Sequence, residues 1–364
     1  MSHTYFTLGR TGLRVSRLAL GTMTFGTDWG WGADKDAARA IFDGYVEAGG
    51  NLFDTADLYV GGTSETWLGE FIAGRRLRDR AVIVTKATFS GDPGNPNGGG
   101  NGRKHILRAV EGSLQRLGTD YVDLFIVHAW DRITPAEEVM RTLDDLVRAG
   151  KVRHVGLSNF PGWYVGRAQA LAEGRGWEPI SALQYKYSLI DRGIEDEFVP
   201  FATEHGAGIL AWSPLASGLL SGKYRAATAE GRLKVLEHPA FPKLGDTRNA
   251  AIVAELEQVA ALAGRTMSQV ALNWVANRPG VASVLLGATR LEQVQDNLAA
   301  LDFTLAPDLA ARLDAASATP RPYPYDFFGA TMQGAVHGGA RIGSKPQTYR
   351  PEVLIDSAGA SVSA

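Results

Sequence analysis

Short apolar runs alternate with longer amphipathic stretches along most of this chain. The runs fall at residues 17–20, 51–53, 81–85, 121–127, 154–157, 180–183, 208–212 and 282–286. Their near-continuous Val, Ile and Leu content suits strands covered on both faces, and hence parallel pairing. Between the runs the apolar positions recur at helical spacing. Ile106, Val110, Leu114 and Leu117 make one stripe, ended by Gly118. Val139, Met140, Leu143, Leu146 and Val147 make another, ended by Gly150. Thr134-Pro135-Ala136-Glu137 opens it and reads as a capping box with proline at the first helical position. Val253, Leu256, Val259 and Ala263 precede Gly264, and Val270, Ala271 and Trp274 follow. Each stripe is a face that packs helix onto sheet. Eight strand–helix repeats predict an α/β fold, a closed (β/α)8 TIM barrel spanning residues 1–318.

Three stretches depart from the rhythm. Residues 5–15 alternate around Gly9-Arg10-Thr11-Gly12, which predicts an N-terminal β-hairpin. Residues 89–102, rich in Gly, Pro and Asn, predict a long mobile loop after the third run, and residues 213–249 a long insertion after the seventh. From 319 to 364 the pattern stops, leaving an irregular C-terminal extension rather than a second domain. Its aromatics Tyr323, Tyr325, Phe327 and Phe328 are placed to close over the barrel mouth, to clasp the barrel, or to meet a second subunit in a homo-oligomer.

Composition narrows the function. Over 364 residues, 45% are hydrophobic and 21% charged, the balance of a globular protein with a large core. A net charge of −2 without a Lys/Arg run disfavours nucleic acid. The absence of cysteine excludes disulfides, thiolate metal sites and a cysteine nucleophile, and no metal site is expected. No run approaches the ~20 apolar residues of a bilayer span. Met1-Ser2-His3-Thr4-Tyr5 lacks the charged-then-apolar pattern of a secretory signal, so the expectation is a cytoplasmic enzyme with no membrane partner.

In such a barrel the chemistry sits at the C-terminal strand ends. Asp54, Lys86 and His128 leave successive runs there, with Tyr59 one loop beyond Asp54. Each has a bland reading alone: a turn cap, a strand end, a structural histidine, a packing aromatic. Together they make sense as a proton-delivery device. A phenol with a pKa of ~10 is a poor acid at neutral pH. A lysine ammonium beside it stabilises the phenolate and is expected to lower that value, and a carboxylate keeps the lysine charged. A histidine can orient a substrate oxygen. The set is suited to protonating an oxygen on which charge develops, as in carbonyl reduction.

From the hairpin to about residue 316 the sequence resembles an aldo-keto reductase. The matching segments are Leu20-Gly21-Thr22-Met23-Thr24-Phe25-Gly26, Asn51-Leu52-Phe53-Asp54-Thr55-Ala56-Asp57-Leu58-Tyr59, Ser113 to Leu124 leading into His128, and Gly156-Leu157-Ser158-Asn159. Ala211-Trp212-Ser213-Pro214-Leu215 with Gly218, Gly222 and Lys223, then Gly287-Ala288-Thr289-Arg290 with Gln293 and Asn297, complete them. The resemblance implies a catalytic tetrad of Asp54, Tyr59, Lys86 and His128, with Tyr59 as acid, and NADP(H) lying across the mouth. It implies that Gly21, Thr22, Met23 and Asp54 border the cofactor, that Ser158, Asn159 and Gln184 hold its carboxamide, and that Trp212 stacks on the nicotinamide. Ser213, Leu215, Gly218 and Lys223 would line the pyrophosphate, and Gly287, Thr289, Arg290, Gln293 and Asn297 the adenosine end.

Arg290 with the Thr289 hydroxyl suits a 2′-phosphate and favours NADPH over NADH. The family usually has proline where Leu286 stands, before Gly287. Tyr59, His128, Trp31, Phe89 and Trp130, with Trp29 nearby, are the candidate substrate contacts and suit an apolar or ring-bearing carbonyl. The expected activity is NADPH-dependent reduction of aldehydes or ketones. The competing readings are a regulatory subunit of the same fold and cofactor, like the channel β-subunits, and a phosphate-handling barrel lyase or isomerase.

Overall fold

The computed structural model describes residues 4–225, 233 and 242–340. A two-stranded antiparallel hairpin, β1 (Tyr5–Thr7) and β2 (Arg14–Ser16), precedes the barrel. The barrel strands are β3 (Leu18–Gly21), β4 (Leu52–Asp54), β5 (Val82–Ala87), β6 (Val122–Val127), β7 (Val152–Ser158), β8 (Ile180–Lys186), β9 (Gly208–Trp212) and β10 (Val281–Gly287). They close in the order β10-β3-β4-β5-β6-β7-β8-β9, every neighbouring pair parallel. All eight predicted runs are strands of this ring.

Side chains alternate across each strand, and that alternation aims the site. Ala19, Leu52, Val82, Val84, Leu124, Ile126, Ala182 and Leu210 form one cluster, the barrel interior. Their immediate neighbours Phe53, Ile83, Phe125, Val127, Leu183 and Ile209 belong to a second cluster, shared with the surrounding helices. Two residues beyond the interior set, at the C-terminal end, stand Gly21, Asp54, Lys86, His128, Gln184 and Trp212. The period of two that fills the core with apolar groups therefore turns these polar groups toward the mouth.

The hairpin belongs to the opposite end. Leu8 and Val15 are fully buried and join the interior cluster from below. Gly9, at a φ of +57°, lies so close to the 206–208 backbone that a Cβ would come within 2.2 Å of the Gly206 carbonyl oxygen. Only glycine fits that left-handed turn at that approach.

Several local expectations change in detail. The stripes before Gly118 and Gly264 are helices Arg103–Leu117 and Thr247–Ala263, each closed by its glycine in the left-handed conformation. The helix predicted to open with a capping box runs Ala136–Arg148 instead, with Pro135 as the N-cap and no side-chain cap. The Thr134 hydroxyl instead donates to Asp131 at 2.5 Å, and it caps no backbone N–H of the helix. The 89–102 segment is irregular, yet Asn101 is fully buried and fastens its far end to Thr88, Ala129 and Asp131.

Part of the 213–249 insertion and residues 341–364 of the tail lie outside the described residues. The tail before 341 holds one helical turn, Tyr325–Phe328, and a short helix, Ala330–Val336. Tyr325 donates to Glu197 at 3.1 Å and Arg321 pairs with Asp196 at 3.3 Å, so this part clasps the barrel beside the Phe198–His205 helix.

Candidate active site

Asp54, the last residue of β4, and Lys86, in β5, are both buried and paired at 2.7 Å. The Lys86 ammonium also donates to the Thr55 carbonyl at 2.5 Å and to the Tyr59 hydroxyl at 3.4 Å. Gln184 donates from across the ring to the second oxygen of Asp54 at 2.7 Å. Burial opposes charge on Lys86, but Asp54 and Tyr59 together outweigh it and hold the lysine above its ordinary pKa. Burial likewise pushes the Asp54 carboxyl up, against the pull of Lys86 and Gln184.

Tyr59 corrects one expectation. Burial raises its hydroxyl above the ordinary phenol value, and Lys86 offsets this only in part. The lysine therefore does not produce a resting phenolate. It holds a neutral phenol beside a positive charge that would stabilise the anion left after proton transfer.

The His128 ring lies edge-on to Tyr59 at 6.0 Å. Burial, and then the Lys86 charge, lower its pKa to about 3, so the imidazole is neutral over the physiological range. Its Nδ1 is buried without a partner, which leaves Nε2 as the nitrogen able to meet a substrate oxygen.

The candidate substrate contacts divide into two groups. Phe89 packs on His128 at 5.1 Å, and Trp29 meets Tyr59 at 6.5 Å, with Trp31 against Trp29 at 5.5 Å. Trp130 instead joins Trp163 at 5.6 Å and Tyr164 at 6.4 Å, a separate cluster. Sequence spacing from His128 does not reveal that Trp130 faces these partners.

The remaining candidates lie at or beyond the C-terminal ends of β3 and of β7 to β10. Ser158 donates to the Gln184 carbonyl at 2.8 Å, and the Asn159 amide donates to Ser158 at 2.9 Å and to the His128 carbonyl at 3.0 Å. Asn159 is exposed, in a left-handed conformation with φ of 57°. Trp212 is half-buried on the interior cluster. Gly21 and Met23 are half-buried, whereas the Thr22 hydroxyl is buried between the Asp54 carbonyl and Ser64.

After β9 the chain turns left-handed at Ser213, Ala216, Ser217 and Gly218. The Lys223 side chain lies over Gly218, where a Cβ would come within 2.6 Å of its Cε. Leu215 is half-buried beside this turn. After β10, Gly287 is exposed and the Thr289 backbone N–H donates to Gln293 at 2.8 Å. Arg290 is exposed at the start of helix Leu291–Leu298, which carries the buried Asn297.

These residues fit a nicotinamide dinucleotide. The N–H groups of Ala216, Ser217 and Gly218 are bonded within the turn, so an anion there would be met by side chains. Here the turn carries a cationic side chain and, in Ser217, a buried hydroxyl without a partner. Ser158, Asn159 and Gln184 combine donors and acceptors, which a carboxamide requires. Among the described residues no group of His, Asp and Glu could hold a metal ion, and no helix is long and apolar enough to cross a membrane.

Comparison with known proteins agrees with this geometry. The model of the Aldo/keto reductase family matches residues 17–318. The chain is 37% identical to an uncharacterized oxidoreductase, YrpG, of Bacillus subtilis, over 86% of this chain and 95% of that protein. It is 34% identical to norsolorinic acid reductase of Aspergillus flavus, over 87% and 81%. It is equally 34% identical to a probable voltage-gated potassium channel subunit beta of Oryza sativa, over 85% and 95%.

Proposed function

The chain belongs to the aldo/keto reductase family, and we propose that it is an NADPH-dependent reductase of aldehydes or ketones. The observation that carries this is the chain of contacts from Gln184 through Asp54 and Lys86 to Tyr59. A nicotinamide coenzyme, when bound, supplies hydride to the carbonyl carbon. Ser158, Asn159 and Gln184 would hold its carboxamide, Trp212 its ring, and Ser217, Gly218 and Lys223 its diphosphate. The exposed Arg290, with Thr289, supports NADPH over NADH, because a guanidinium matches a phosphate in two hydrogen bonds.

The protein's own groups manage the proton. The carbonyl oxygen sits between Tyr59 and Nε2 of His128, which orients it without competing as an acid. Tyr59 stays protonated until charge develops on that oxygen, then gives up its proton. Lys86 receives the resulting phenolate at hydrogen-bond range, and Asp54 keeps Lys86 charged and in place. Phe89, Trp29 and Trp31 around this pair support an apolar or ring-bearing carbonyl, in keeping with the relatives named for norsolorinic acid and for aryl alcohol.

The test follows nicotinamide absorbance with purified protein, NADPH and a panel of aldehydes and ketones. Turnover abolished by Tyr59→Phe is expected, and turnover that survives it would overturn the mechanism. The potassium channel relatives support a second reading, a nicotinamide-binding regulatory subunit. Binding of NADPH without turnover on any carbonyl would favour it.

A further inference from the structure

Immediately after Tyr59 the backbone runs left-handed for three residues: Val60 at a φ of 50°, Gly61 at 61° and Gly62 at 93°. A β-branched residue in that region is a true outlier, and it persists only where the surroundings over-determine it. From one side the buried Val60 side chain fills the space over Gly26, where a Cβ would lie 2.7 Å from its Cγ1. From the other, Arg116 passes against Gly62, where a Cβ would lie 2.6 Å from its Cδ.

Arg116 is itself braced. Its Nε donates to Glu65 at 2.6 Å. The fully buried Glu65 uses its other oxygen to accept from the Thr85 hydroxyl at 2.5 Å. Thr85 is the residue before Lys86. A continuous path thus links the strand that carries the ammonium to the turn that carries the phenol, from Thr85 through Glu65 and Arg116 to Gly62. Asp57, between Asp54 and Tyr59, has one oxygen buried without a partner, and the charges acting on it are those of Glu65, Arg116 and Lys86. Arg116 therefore also balances two carboxyl groups within this cluster.

None of these groups reaches the carbonyl. We infer that Arg116, braced by Glu65, is a positioning residue for Tyr59: by holding the left-handed turn it sets the phenol hydroxyl at hydrogen-bond range from Lys86. That separation, 3.4 Å, is the long limit of a hydrogen bond. A small relaxation of the turn breaks it, while leaving the residues proposed to hold nicotinamide untouched on other strands.

The inference rests on the reductase reading for its kinetic consequence but not for its geometric one. Arg116→Met is expected to lower kcat by about tenfold or more, a part of the ~10²–10⁴-fold that positioned proton transfer contributes. KM and the NADPH Kd, read by fluorescence quenching, are expected to stay within about threefold of the parent, and Arg116→Lys to recover part of the loss. A crystal structure of the Arg116→Met protein should show Tyr59 Oη withdrawn from Lys86 Nζ. A parent protein that turns over no carbonyl would sink the reductase reading alone, since that separation is measured without turnover. An unchanged separation in the variant, or a fall in kcat matched by equal losses in KM and NADPH binding, would overturn the inference. Should Arg116→Met fail to fold, Glu65→Gln is judged by the same separation and the same split.

Discussion

Gln184 donates its side-chain amide to Asp54 at 2.7 Å from β8, the strand that faces β4 across the diameter of the ring. With Lys86 on the other oxygen, both lobes of the Asp54 carboxylate are spoken for. The bond also commits the amide nitrogen of Gln184, leaving its side-chain oxygen Oε1 as the group able to meet a ligand. Replacing Gln184 by Leu strands a buried acceptor, a loss of about 1–3 kcal/mol. Denaturant titration of the folded protein reads this directly, and a variant as stable as the parent would mean that water replaces the amide.

The Asp54–Lys86 pair has a sharper signature. Lys86→Met leaves a buried carboxylate unpaired and should destabilise the protein by about 3–5 kcal/mol. Adding Asp54→Asn to that background should restore most of the stability and none of the turnover. Recovery of activity in the double variant would remove the lysine from the mechanism.

His128 makes a pH prediction. Its folded pKa of about 3 lies far below the ordinary 6.5. Between those values the unfolded chain takes up a proton that the folded chain refuses. The contribution of His128 is therefore intact above about pH 6.5 and is progressively lost as the pH falls toward 3. In His128→Gln the slope of unfolding free energy against pH across that window should flatten by up to one proton. An unchanged slope would show that the imidazole charges freely in the folded state.

The proposed preference for NADPH is tested at Arg290. Arg290→Ala should weaken NADPH binding by roughly tenfold, the worth of a charge-assisted contact, and leave NADH binding unchanged. Equal losses for both would place the guanidinium away from the 2′-phosphate.

Most of the fold is legible in the sequence because one rule serves two purposes. The alternation that buries Leu52, Val84, Ile126 and Ala182 also sends Asp54, Lys86, His128 and Gln184 inward one step higher. What escapes the pattern depends on partners distant in sequence. A stripe of apolar positions says nothing of Glu65 or Arg116, which lie in helices Thr63–Gly74 and Arg103–Leu117 and meet 51 residues apart. Thr134 has the spacing of a cap, but the N-cap falls one residue later, at Pro135, and the hydroxyl is turned to Asp131. Lys86 near Tyr59 suggests a depressed phenol pKa, and only the depth of burial reverses the sign. Trp130, two residues from His128, packs on Trp163 and Tyr164, a contact that its place in the sequence does not show.

The hairpin at the foot of the barrel has a kinetic meaning. With Leu8 and Val15 sealed into the interior beneath the Asp54–Lys86 pair, the barrel is a cup rather than a tube. On the proposed mechanism, a proton lost by Tyr59 would have to return from the rim, the side by which an alcohol product would leave. Product exit and recharging of the acid would then share one doorway, so that each would wait on the other.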